Sequence, residues 1–89
     1  MPLFLIERNF ADQLEFNPQG VSQITRINDE EGVNWLFSFL SMDKRKTYCL
    51  YEATNAEAIR EAARRCNVPA DVIIEVSKFQ PELMLAAGT

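Results

Sequence analysis

The sequence predicts a small α+β domain, and three observations between Gly32 and Val76 support this fold class. A run of large apolar residues, Trp35 to Leu40, predicts a strand with apolar groups on both faces. A capped amphipathic helix follows the next strand-like segment, and Asn67 and Pro69 stop that helix before a final apolar run. A strand with two apolar faces must be covered on both sides, which a chain of 89 residues can hardly do alone. We therefore expect the domain to pair with a copy of itself.

The composition is that of one globular domain, with 47% apolar and 25% charged residues. A net charge of −4 argues against a nucleic-acid partner and against binding to an anionic membrane surface. No apolar run reaches the roughly 18 residues that a membrane span needs. Since the two cysteines come without a recognisable secretion signal, we expect a cytoplasmic protein.

The first third of the chain predicts one strand and one helix. Leu3 to Arg8 is the first strand, and its alternate residues face opposite sides of a sheet. A polar connection follows, with apolar anchors at Phe10, Leu14 and Phe16. The helix begins at Asn17-Pro18, an N-cap followed by proline at the first helical position, and ends at the left-handed stop Gly32. Its acidic end, Asp29 to Glu31, opposes the helix dipole.

Two further strands surround a tight polar turn. The apolar strand from Trp35 to Leu40 leads into the charged run Asp43 to Lys46, which is typical of a hairpin turn. We regard its basic residues as a solvated surface, with an anion-binding patch as the alternative. Thr47 to Ala53 then predicts the third strand, because its residue types suit a pleated surface.

The second helix has the clearest sequence signals. Thr54 and Glu57 predict a capping box at its start. Glu61 is expected to pair with Arg64 and Arg65, and both arginines suit the C-terminal end of the helix dipole. The last strand follows at Val72 to Val76.

The resulting order is βαββαβ, which predicts a four-stranded antiparallel sheet of order 4-1-3-2 with both helices on one face. The other face of the sheet would be bare in a monomer, and an apolar face of that size marks an interface. A two-fold homodimer that packs sheet against sheet is the simplest cover. We assign residues 1–78 to the domain and residues 79–89 to a C-terminal tail, a candidate for packing on the partner subunit through Leu83, Met84 and Leu85.

Several short motifs lie along these elements. They are Ile6-Glu7-Arg8, Gly32-Val33, Trp35-Leu36, Ser38, Asp43, Tyr48-Cys49, Tyr51-Glu52-Ala53, Glu57 to Glu61, Val68 to Asp71, Ile73 and Glu75-Val76. Together they resemble a family of small bacterial proteins, a domain of unknown function that is often labelled nickel-binding protein. The resemblance covers about three quarters of the chain and is strongest from Gly32 to Val76.

This resemblance implies a ferredoxin-like domain that forms a dimeric α+β barrel, and it suggests nickel as a divalent metal ligand. Related barrel families include cofactor-independent monooxygenases and isomerase-like enzymes that hold a small molecule between sheet and helices. Fold alone does not decide between these functions. The chain also departs from a nickel-binding pattern, because it contains no histidine and nickel favours imidazole ligands.

Three carboxylates are the first candidate site. Glu7, Glu52 and Glu75 fall on strands that are neighbours in the predicted sheet, so they would converge if the register aligned them at one end. Converging carboxylates bind a hard cation or act as a general acid and base. The alternative is that they are solvated, or paired with Arg8 and Lys78.

The cysteines and aromatic residues are weaker candidates. Cys49 and Cys66 could be a metal-binding or redox pair, but free cysteines are more commonly small buried apolar groups. An aromatic pocket for a flat ligand is one interpretation of the aromatic residues, and a core with a dimer interface is the other. The residues concerned are Trp35, Phe37, Phe39, Tyr48 and Tyr51.

The sequence leaves three hypotheses for function. The first is a homodimeric, non-enzymatic binding protein for a small ligand or a divalent metal, with Glu7, Tyr51 and Glu52 as ligand contacts. Its metal ligands would come from Glu7, Glu52, Glu75 and Cys49. The alternative is a cofactor-independent, monooxygenase- or isomerase-like enzyme, in which a buried carboxylate is the base and a tyrosine donates a hydrogen bond. The third is a structural partner domain without a pocket.

Overall fold

The computed structural model of the protein describes residues 1–82, and its elements follow the predicted order βαββαβ. They are β1 (Leu3–Asn9), α1 (Pro18–Glu31), β2 (Asn34–Leu40), β3 (Lys46–Glu52), α2 (Ala56–Cys66) and β4 (Val72–Val76). All strand pairs are antiparallel, and the order across the sheet is β2-β3-β1-β4. The predicted α+β class and ferredoxin-like topology are therefore confirmed. The predicted tail, residues 79–89, lies mostly outside the described residues, as do Leu83, Met84 and Leu85.

Both helices cover the same face of the sheet. On β1, Phe4, Ile6 and Arg8 point to this helix-covered face, and their burial alternates with that of the intervening residues. The core joins Phe4 and Ile6 to Ile59 of α2. The opposite face, which we call the open face, has no element of residues 1–82 packed on it.

Strand β2 contains a bulge that decides which aromatic residues face the helices. Trp35 pairs with Tyr51, but the next pair joins Phe37 to Leu50, so Leu36 is an extra residue. Trp35 therefore lies on the helix-covered face, while Phe37 lies on the open face. This irregularity explains how one short strand presents large apolar groups on both sides.

The first helix begins and ends where the sequence predicts. The Asn17 side chain accepts a hydrogen bond from the backbone N–H of Gly20 at 2.7 Å, and Gly32 ends the helix with a φ of 73°. The acidic end of α1 is compensated from α2, because the Arg65 guanidinium donates to Glu30 at 2.6 Å and to Glu31 at 2.8 Å. The expected pairing of Arg65 with Glu61 is therefore wrong, whereas Arg64 does pair with Glu61.

The second helix begins one residue later than the capping box predicts. Asn55, not Thr54, is the N-cap, and its side chain accepts a hydrogen bond from the backbone N–H of Ala58 at 2.9 Å. Asparagine is at least as good an N-cap as threonine, so the adjacent Asn55 displaces Thr54 from this role. Glu57 pairs with Arg60 one turn along instead of reaching back to the cap.

Neither helix of residues 1–82 has the length and apolar character needed to cross a membrane.

Candidate functional site

A cavity of about 150 Å³ lies between the sheet and the two helices. Much of its lining is apolar and comes from the β1–α1 connection, from α1 and from β2. These apolar residues are Phe10, Leu14, Phe16, Val21, Ile24 and Trp35. The predicted apolar anchors of the connection thus form one wall of the cavity.

The β1–α1 connection is held over the cavity by the β2–β3 turn. The backbone N–H of Phe10 donates to the carbonyl of Arg45 at 2.8 Å, and that of Leu14 donates to the carbonyl of Lys44 at 2.6 Å. At the other end of the connection, the Phe16 ring lies 6.4 Å from the Trp35 ring, centroid to centroid. Since Phe16 is about half exposed, this aromatic pair forms part of the mouth of the cavity.

The sheet supplies the polar floor of the cavity. Trp35 and Tyr51 stack with centroids 6.5 Å apart and an interplanar angle of 11°. The Arg8 guanidinium carbon lies 5.6 Å from the centroid of the Tyr51 ring, which is a cation–π distance. Thr47 and Cys49 also line the floor, so strands β1 and β3 both contribute to it.

Two polar side chains of the cavity are buried and incompletely hydrogen-bonded. Arg8 is 6% exposed and Asn28 is 3% exposed. Among residues 1–82, neither Arg8 Nη1 nor Asn28 Nδ2 makes a hydrogen bond of acceptable geometry, although Asn28 lies near enough to the Tyr51 hydroxyl to lower the pKa of that group. The ion pairs found in this part of the chain do not include Arg8. A buried donor without a partner costs roughly 1–3 kcal/mol, and more if it is charged, so such groups call for an explanation.

Burial changes the titration of two groups in the cavity. It raises the pKa of the Tyr51 phenol, while Arg8 and Asn28 act in the opposite direction. Burial also raises the pKa of the Cys66 thiol. Both groups are therefore protonated at neutral pH, so Tyr51 can donate a hydrogen bond and Cys66 is not a thiolate.

The register separates the three carboxylates that were expected to converge. Glu7 lies opposite Tyr48 and Glu52 lies opposite Leu3, so they sit at opposite ends of the open face. The separation along β1 is four residues, or roughly 13 Å. Glu75 lies opposite Phe4 and hence on the helix-covered face. The expected convergence is wrong, because strand register was not readable from residue types.

The predicted ligand contacts are divided between the two faces of the sheet. Tyr51 and Cys49 line the cavity, whereas Glu7 and Glu52 belong to the open face. The Glu7 carboxylate lies 3.8 Å from the Lys46 ammonium. The alternative expectation, a pairing of Glu7 with Arg8 or Lys78, is therefore not met. In residues 1–82 no Asp or Glu is buried, so the buried carboxylate of the enzyme hypothesis is not found there. The only acidic residue lining the cavity in this part of the chain is the exposed Glu15.

Nickel ligands are also not assembled within the described part of the chain. No group of three or more Cys, Asp or Glu side chains in residues 1–82 could hold a metal ion. The cavity contains the Arg8 cation and a protonated Cys66, both of which disfavour a bound cation.

Sequence reasoning missed Arg8 and Asn28, although each carried a signal. Arg8 alternates with Phe4 and Ile6 along β1, so the period of a strand places it on the apolar face. Asn28 lies one helical turn after Ile24 and next to the buried Ile27. A polar residue that shares one face of a strand or helix with apolar residues indicates a buried polar group of this kind.

Comparison with known proteins identifies a family and a shared fold. The family model described as "Nickel responsive protein SCO4226-like" matches residues 4–76. The crystal structure of SCO4226 from Streptomyces coelicolor A3(2) superposes with a TM-score of 0.68. The two sequences are 21% identical, and the match covers 88% of this chain and 99% of that one, which shows a shared fold. No curated protein sequence matches the chain.

Proposed function

Since the chain belongs to the SCO4226-like family of nickel responsive proteins, we propose that it is a homodimeric binding protein for a small organic molecule. The observation that carries this proposal is the cavity between the sheet and the helices. Small-molecule sites are commonly concave and mostly apolar, with a few polar groups that orient the ligand. A cavity of about this volume in another protein holds a molecule the size of benzene. A ligand with a single ring or a short branched chain fits these dimensions.

Nickel is suggested by the family description, but the residues of this chain do not fit a resident nickel ion. The chain has no histidine, and the carboxylates proposed as ligands lie at different ends and faces of the sheet. Cys49 lies in a cavity that also contains the Arg8 guanidinium, which repels a divalent cation. An organic ligand is thus the better match to the donors and to the lining.

The homodimer is proposed from the open face. Across the middle of the sheet, one row of paired residues on this face is wholly apolar: Phe37, Leu50, Leu5 and Ile74. Phe37 is 51% exposed and Ile74 is 50% exposed in the single chain. A second copy offers the same apolar row, and its two-fold packing would remove both rows from water.

The single tryptophan of the chain gives a direct test of the cavity, because Trp35 is part of its lining. We expect small one-ring compounds, both neutral and acidic, to change Trp35 fluorescence saturably and to raise the melting temperature of the full-length protein. A Val21→Phe variant fills the cavity from α1 and should bind at least about tenfold more weakly. Nickel chloride added in the same melts should leave the melting temperature unchanged.

The matched control is Thr25→Phe, one turn further along α1, where the side chain is exposed and does not line the cavity. This variant should bind as the wild type does. A panel in which no compound gives a saturable signal contradicts the binding proposal. A nickel-dependent rise in melting temperature contradicts the preference for an organic ligand.

A further inference from the structure

We propose that the ligand is a small apolar monocarboxylic acid, whose carboxylate is held by Arg8 and Asn28. This inference rests on the proposed binding function and adds the chemical class of the ligand. Two buried donors, the charges around the cavity and its apolar lining support it.

Arg8 is the main reason to expect an anion. Its guanidinium is buried on the helix-covered face, and within residues 1–82 no carboxylate lies within ion-pair distance of it. Arginine cannot escape the cost of burial by losing its proton, as a lysine can. Contact with the Tyr51 ring offsets part of this cost, but Nη1 still has no acceptor in the described part of the chain. A ligand carboxylate would supply both the acceptor and the opposite charge.

Asn28 provides an independent second donor from another element. It lies on α1, a different element from the strand that carries Arg8, and it lines the same cavity. Its Nδ2 group makes no hydrogen bond of acceptable geometry among residues 1–82, although the Tyr51 hydroxyl lies near it. A carboxylate has two oxygens, so it can accept from the guanidinium and from the amide at the same time. Two unpartnered donors that line one cavity therefore indicate a single anionic group between them.

The rest of the cavity restricts the remainder of the ligand. Its walls are formed by apolar residues such as Leu14, Val21 and Ile24, which favour an apolar body over inorganic phosphate. Glu15 is the acidic residue on the lining, and it would repel a second negative charge on the ligand. Together these features favour one carboxylate on a small hydrocarbon frame.

The test compares phenylacetate with its neutral counterpart 2-phenylethanol by Trp35 fluorescence titration of the full chain. Wild type should bind phenylacetate at least about tenfold more tightly, since a charge-assisted hydrogen bond is among the stronger polar contacts. Arg8→Met keeps an unbranched apolar stem and removes the charged guanidinium, so it should abolish this preference. Because Met replaces a buried charge with an apolar group, we expect this variant to fold. Asn28→Leu should reduce the preference in part.

Arg45→Met is the matched control, since Arg45 is exposed on the β2–β3 turn and is not part of the lining. It should keep the preference of the wild type. Equal affinity for the acid and the alcohol in wild type, or an unchanged preference in Arg8→Met, overturns the carboxylate inference and leaves the binding function standing. Binding of neither compound also overturns the carboxylate inference, and the proposed binding function fails with it if no other one-ring compound of the panel binds. The wild-type comparison does not depend on any variant folding.

Discussion

Arg65 is the residue that ties the two helices together by charge. Its guanidinium reaches Glu30 and Glu31 at the C-terminal end of α1, where acidic side chains would otherwise face the negative end of the helix dipole. The hydrogen bond and the charge of Arg65 hold the pKa of Glu30 below its ordinary value of 4.5. Arg65 thus compensates an unfavourable sequence on the neighbouring helix.

The lowered pKa of Glu30 predicts an acid-dependent contribution to stability. A carboxyl whose pKa is depressed in the folded state stabilises the fold above its unfolded value, and this stabilisation is lost as pH falls through the folded value. Arg65→Met should therefore be less stable than wild type at neutral pH, and the gap should close below pH 4.5. The difference in the free energy of unfolding should be small, because the Arg65–Glu30 ion pair is exposed.

Urea unfolding across the acid range measures this gap. Arg60→Met serves as the control, since Arg60 pairs with Glu57 inside a single helix and forms no ion pair with another element of residues 1–82. Its stability difference from wild type should vary less with pH. A gap for Arg65→Met that stays constant from neutral to acid pH would show that the loss is one of packing and not of charge.

At the scale of the elements, helix ends and strand bulges decide the geometry. Asn17 and Asn55 cap the two helices in the same way, each accepting from a backbone N–H three residues on. On β2 the bulge at Leu36 turns Phe37 away from the helices while Trp35 remains over the cavity. The bulge thus decides which face of the sheet the following side chains of β2 lie on.

The position of the α2 cap can be tested by a pair of adjacent substitutions. Asn55→Ala should lower the free energy of unfolding by about 1 kcal/mol, because it removes the acceptor for the Ala58 N–H. Thr54→Ala should change it by less than about 0.5 kcal/mol, as expected for an exposed residue without this role. Thermal or urea unfolding distinguishes them, and a larger loss for Thr54→Ala would restore Thr54 as the cap.

The elements were predictable from the sequence, whereas the site largely was not. Caps, stops and apolar periods are local, so Asn17, Gly32 and the strand at Val72–Val76 could be recognised without knowing the fold. Register is not local, and the separation of Glu7 from Glu52 depends on it. Arg8 alternates with Phe4 and Ile6, but Glu7 alternates with Leu3 and Leu5 in the same way. The burial of Arg8 therefore follows only once the helix-covered face is known.

At the scale of the whole molecule, residues 1–82 cover the sheet on one side only. The open face carries Phe37, Phe39 and Ile74, each at least half exposed. Only two charged residues, Glu7 and Glu52, lie within the three rows that span this face, and they are at opposite ends. The apolar middle row between them is the surface that our dimer proposal covers.

Light scattering tests the homodimer directly. Wild type should have about twice the 10.2 kDa mass of the chain. Phe37→Lys or Ile74→Lys places a charge in the middle row and should give a monomer, because each copy of the interface would then bury a new charge. Met42→Lys is the control, since Met42 is 98% exposed on the β2–β3 turn and not on this face. A monomeric wild type, or dimers that persist in both middle-row variants, would contradict the proposal.

The extra residue at Leu36 has a consequence for how related chains should be aligned. Because the bulge absorbs Leu36, a chain without this residue would carry Trp35 and Phe37 as ordinary strand neighbours and keep the same faces of β2. A chain that kept the residue in a regular strand would exchange the two faces beyond it. Phe37 and Phe39 would then turn inward, and Ser38 would turn outward. A one-residue gap at Leu36 in an alignment is therefore compatible with an aromatic outer surface on β2.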